Sequence, residues 1–282
     1  YIARRLYQFF VYPALSDEIE DKIIKPLAKI YRDNNYSLVE PLKVLLKSKH
    51  FYENQIENSL IKSPIDFAMG LLKETDLIDN GVLHHWDGNN SHWSLFEPNH
   101  FGEKEKDNNY LRYQITQNLS FWAGSDLGMQ LLFPPSVSGW PAFYQEPVYD
   151  LFWINSSTIT RRIELSDGYL RWGIWMNIFK GDNGIQKQYN LVEYLNSYKN
   201  PASINPFVDE LIFRFLGGEP SIGTREKIKQ ALIGDINENH WTEEIEKIIN
   251  SSSPNKNSYQ SIKYRLNNAF EVINLLGEFH LF

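Results

Sequence analysis

The chain has no cysteine among its 282 residues, and that absence removes disulfides, cysteine zinc sites, iron–sulfur clusters and thiol catalysis together. It has no excess of positive charge either: 28 Lys and Arg stand against 35 Asp and Glu, a formal net charge of −7. Non-specific nucleic-acid binding and attachment to an anionic membrane surface both need clustered Lys and Arg, so neither is expected. No apolar run approaches the ~20 residues that span a bilayer, and no signal peptide is visible. The sequence also lacks a Gly-x-Ser-x-Gly elbow, a Gly-x-Gly-x-x-Gly turn and a phosphate loop. What is present suffices for a large core: 42% hydrophobic and 15% aromatic residues mark a globular chain.

The dominant period is helical. Ile2, Leu6, Phe9 and Phe10 make one apolar face, with Arg4, Arg5 and Gln8 opposite. Ser16-Asp-Glu starts a helix over 17–34, and Pro26 inside it implies a kink or break. Ser37 and Glu40 have capping-box spacing, complicated by Pro41. Ser63-Pro64 is a cleaner start for 64–75. From 76 to 109 the pattern dissolves into Gly, Asn, His and Asp, which predicts a long irregular insertion. Helices are expected again over 110–131, 168–180, 188–199, 206–216, 224–233, 241–250 and 258–277. In the last of these Ile262, Leu266, Phe270, Ile273 and Leu276 form one stripe. Asn205-Pro206 repeats the cap-then-proline start, and Gly217-Gly218 supplies a stop. No βαβ alternation or hairpin series is visible. The expectation is an all-α, multi-helix array over a single domain, 1–282. It carries the irregular insertion 76–109 and an extended Pro-rich segment packed between helices. The chain opens at Tyr1 without a Met, inside an amphipathic pattern, and reads as the C-terminal part of a longer protein.

The most specific stretch is Phe133-Pro-Pro-Ser-Val-Ser-Gly-Trp-Pro141, followed by Trp153-Ile154-Asn155 and Arg161 or Arg162. Pro134-Pro135 preorganises extended backbone, Gly139 suits a positive φ, and Asn155 is a good helix cap. Together with the flanking Leu45–Ser48, Lys62-Ser-Pro64 and Leu216-Gly-Gly218, this order of motifs resembles the C-terminal half of the bacterial "domain of unknown function 1800" family. One departure is the longer link 142–150 between Gly-Trp and Trp-Ile-Asn. The resemblance implies a helical, often exported bacterial protein with no established activity, and hence a periplasmic or cell-envelope location.

Two readings of that stretch stand side by side. In one, Trp140 and Trp153 are stacking platforms of a ligand groove, with Asn155 and Arg161 as polar handles. In the other, the tryptophans plug the core and Asn155 merely caps its helix. A second cluster, His84, His85, Asp87, His92, Glu97, His100 and Glu103, is rich in metal-ligating types. Its spacing matches no metal motif, and no metal or cofactor is assigned. Asp209-Glu210 and Glu243-Glu244 are neighbours that face apart on a helix. The leading expectation is therefore a non-catalytic binding or assembly protein of the cell envelope, its partner another envelope protein or a glycan. The alternative is a hydrolase acting on a glycan or another cell-surface polymer, with its site around Trp140 and Trp153.

Overall fold

Capping signals and apolar spacing account for most of the helices observed in the structure, a computed structural model. It describes residues 1–52, 60–85, 108–146, 148–176, 185–218, 223–251 and 254–282. The helices are α1 (Ile2–Phe10), α2 (Asp17–Ile19), α3 (Lys25–Asp33), α4 (Val39–Leu46), α5 (Pro64–Glu74), α6 (Leu77–Asn80), α7 (Asn108–Gln117), α8 (Gly124–Asp126), α9 (Ser156–Arg171), α10 (Leu191–Asn196), α11 (Ile204–Leu216), α12 (Thr224–Ile233), α13 (Glu238–Ile249) and α14 (Lys256–Asn274). The fold is all-α, as expected. Among the described residues no helix is long and apolar enough to cross a membrane.

The principal core lies where α5 and α9–α14 converge. Phe207, Leu211, Ile228, Trp241, Ile245, Ile262, Leu266 and Phe270 are buried there together. The stripe read on the last helix is the stripe α14 buries, with Leu276 half-buried beyond its end. At the other end of the chain, α1, α3 and α4 form a separate small core of Ala3, Tyr7, Val11, Ile24, Leu27 and Leu45. Here the expected face is not the one used. Tyr7 is buried while Ile2, Phe9 and Phe10 stay exposed, because the packing turns the Ala3–Tyr7–Val11 side inward.

Other differences have local causes. Pro26 does not break its helix. A π turn over Glu20–Ile24 joins α2 to α3, and the Lys25 N–H reaches back to the Glu20 carbonyl, so the ladder shifts register just before the residue that has no N–H. The Ser37–Glu40 capping box does not form: α4 starts at Val39 with Leu38 as its uncapped N-cap. Ser63 does cap α5, its Oγ accepting from the Asp66 N–H at 3.2 Å. The Asn205-Pro206 start falls inside the first turn of α11, whose N-cap is Ser203.

The 76–109 stretch is not wholly irregular. It contains α6 and the strand β1 (Val82–His85), which joins β2 (Ile174–Met176) and β3 (Ile185–Gln188) in an antiparallel sheet ordered β1-β3-β2. The helix expected over 168–180 therefore ends early. Gly173 has φ 79°, and a Cβ there would meet the Lys187 carbonyl oxygen at 2.1 Å, so only glycine permits the strand to approach so closely. Of the histidine-rich cluster, His84 and His85 sit on β1, whereas Asp87, His92, Glu97, His100 and Glu103 lie outside the described residues. Among the described residues no group of three or more His, Asp or Glu could hold a metal ion.

Candidate functional site

α9 is started by a reciprocal cap. Asn155 Oδ1 accepts from the Ser157 and Thr158 N–H groups, both at 2.9 Å, and the Asn155 N–H donates to Thr158 Oγ1 at 2.9 Å. The Thr158 hydroxyl in turn donates to the Trp153 carbonyl at 3.1 Å. The helix entry is thereby tied to the segment before it.

In that segment two 3₁₀ turns, Pro141–Phe143 and Tyr149–Trp153, fold against each other. They enclose a small cluster of Met129, Ala142 and Trp153, with Trp140, Ile61 and Ile65 packed around it. Phe143 meets Trp153 edge-on, centroids 5.5 Å apart. Asp150 Oδ2 accepts from the Ile61 N–H at 2.8 Å, which ties the turn to the strand-like segment leading into α5.

The four residues singled out in the sequence are thus brought together only in part. Trp140 and Trp153 share one cluster, the first half-buried and the second only 5% exposed. The Asn155 side chain is committed to its helix. Arg161 is on the surface, paired with Glu164 at 2.7 Å.

The proline segment departs from expectation. Instead of threading between helices, Leu132–Ser138 lies on the surface, with Leu132 90% and Phe133 69% exposed. Pro134 and Pro135 have no N–H, and inside the bundle their carbonyls would need partners that the surface supplies as water. The segment is nevertheless shaped. Ser136 and Gly139 form a turn, Gly139 N–H to Ser136 carbonyl at 3.0 Å and Ser136 Oγ to Gly139 carbonyl at 3.1 Å, with Gly139 at φ 92°. Two non-glycine residues with positive φ bracket the region, Leu132 at 69° and Tyr149 at 43°. Each such conformation costs on the order of 1–3 kcal/mol and marks functional segments more often than ordinary ones.

One residue past Arg161 the chain does something the sequence reading missed. Arg162 has no exposed surface. Its Nη2 donates to the Lys62 carbonyl at 2.6 Å, and its guanidinium lies 5.0 Å from the Phe67 ring centroid. The other face of the junction is the C-terminal turn Gly277–His280. The Lys62 N–H donates to the His280 carbonyl at 2.9 Å, Lys62 Nζ donates to the Phe279 carbonyl at 3.0 Å, and the His280 ring stacks with Phe67. Burial pushes the Arg162 guanidinium down to about 10. Burial, and then the Arg162 charge, push the Lys62 ammonium down to about 8 and the His280 imidazole down to about 4. The spacing held a usable signal: counting back from Leu170 in fours reaches Ser166 and Arg162, and these three are the residues α9 buries.

A family model described as protein of unknown function (DUF1800) matches residues 1–269. The chain belongs to the DUF1800 family. No curated protein and no solved structure matches it. The match to DUF1800 takes in the proline segment, the Asn155 cap and Arg162, while His280 lies past its end.

Proposed function

We propose that this DUF1800 chain is a non-catalytic binding or assembly protein of the bacterial cell envelope, and that the arm around Leu132–Val137 is the part it presents to a protein partner. The envelope location rests on the family resemblance. The observation that carries the reading is the exposure of large apolar side chains on a backbone held in a strained shape: Leu132, at φ 69°, leads into exposed Phe133 and Val137, with exposed Phe143, Leu151 and Phe152 on the turns beside them. A stiff, protruding proline segment is the kind of element that inserts into an apolar groove on another protein, and clustered exposed apolar side chains favour such a contact. A small ligand would instead need concave walls. The hydrolase alternative has less behind it, since Asn155 is spent on the helix cap and Arg161 on Glu164.

The test is a photo-crosslinking amino acid at Val137, with one at the exposed Phe213 as control, in the full-length protein within its native cells. A discrete protein adduct in the envelope fraction at position 137, absent at 213 and lost with Phe133→Asp, is expected. Equal labelling at both sites, or adducts only in the cytosol, would overturn the reading.

A further inference from the structure

The junction of α5, α9 and the C-terminal turn buries a guanidinium, Arg162, that no ion pair among the described residues neutralises, while the half-buried Lys62 ammonium beside it feels only the partial pull of the Glu74 carboxylate. Arg162 Nε and Nη1 have no hydrogen-bond partner, which idles three of the guanidinium's five N–H donors, one on Nε and two on Nη1. Lys62 lies against it through the Arg162–Lys62 carbonyl bond, its own ammonium answered by a neutral carbonyl. Neither cation is in an ion pair among the described residues. His280, 3% exposed, has Nδ1 unpartnered while Nε2 meets the carbonyl of Asn274 at 3.2 Å, and Asn274, 1% exposed, has both side-chain polar atoms unpartnered. A buried charge without a counter-charge is among the most expensive features a protein can carry, and two adjacent cations compound it. Water would satisfy the donors but leave the charge uncompensated.

We propose that Arg162 and Lys62, flanked by Asn274 and His280, bind a small oxyanion, a carboxylate or phosphate group. An Arg fork is the donor set that fits either group best. Because Arg162 has no exposed surface, the anion enters as the Gly277–His280 turn closes over Phe67 and Lys62, so binding is coupled to folding. This site is independent of the surface arm.

The experiment is urea unfolding of the whole chain in Tris-chloride at fixed ionic strength, with inorganic phosphate or acetate titrated in. Wild type should gain a saturable rise of about tenfold or more in its folding equilibrium constant with at least one of the two, as ligand linkage requires. The phosphate and acetate arms separate the two classes of oxyanion. Arg162→Met should abolish the dependence. Should that variant fail to fold, Lys62→Met should weaken the dependence several-fold. A wild-type midpoint that ignores both anions, or an anion effect that survives Arg162→Met or is undiminished in Lys62→Met, overturns the proposal.

Discussion

Two regions of the chain are made of the same kinds of residue and end in opposite environments. In α11–α14, aromatic and branched side chains recur every three or four positions, and Trp241, Ile245, Ile262 and Leu266 vanish into one core. Between Met129 and Trp153, side chains as apolar as these are interrupted by Pro134, Pro135, Gly139 and Pro141, and most of them face solvent. Composition is therefore a poor guide to burial in this protein. Periodicity decides it, because a helix gathers spaced residues onto one face, whereas a proline-rich turn points each side chain its own way.

The sharpest way to break the comparison is Trp241→Ala. Trp241 is fully buried and its indole N–H donates to the Pro201 carbonyl at 3.1 Å. Loss of about 3–5 kcal/mol is expected in urea unfolding, enough to unfold much of the population. A loss below about 1 kcal/mol would mean that the α11–α14 core is looser than its burial indicates.

Acid should act next most strongly, through the junction of α5, α9 and the C-terminal turn. His280 is held down to about 4 from 6.5, chiefly by burial. Between those values the unfolded chain binds a proton that the folded chain refuses, so stability rises with pH across this window and is lost as pH falls from about 6.5 to 4. The contribution is on the order of 3 kcal/mol. It should appear as a shallower acid limb in His280→Gln than in wild type. Parallel limbs would show that the imidazole takes up its proton freely in the fold.

Asn155→Ala should cost about 1 kcal/mol, because it strips two N–H partners from the first turn of α9. Asn155→Ser should recover most of that in thermal unfolding, and no recovery would point to a role other than capping. The smallest effect belongs to the arm. Val137→Ser, at a position with its side chain wholly in solvent, should leave the unfolding midpoint within about 0.5 kcal/mol of wild type. A large loss of stability there would place the arm among the structural elements instead.

Much of the helical array was legible because its signals are local. The Ser63-Pro64 start, the α14 stripe and the bounds of α12 need only neighbours in sequence, and the structure places all of them as read. The sheet was not legible. Its strands are three or four residues long, and β3 buries Gln186, Lys187 and Gln188, so no alternation of apolar and polar residues announces it. Its pairing also joins Val82 to Gln188, 106 positions apart. The candidate site divides in the same way. The Asn155 cap was read correctly from the residues around it, and the two indoles do share a cluster. Of Arg161 and Arg162, the sequence reading made Arg161 the polar handle, because a charged residue is expected outside and nothing within one helix overrides that expectation.

By itself the sequence determined the helical class, most helix starts, the core stripe of α14 and the family to which the chain belongs. These follow from backbone capping and side-chain period, which act over a few residues. Tertiary structure alone decided which side of α1 turns inward, that the proline arm lies on the surface, and that Lys62, Arg162, Asn274 and His280 meet. These positions lie up to 218 residues apart, His280 from Lys62, and what unites them is the packing of α5, α9 and the C-terminal turn, an outcome of close-packed shapes that no local pattern encodes.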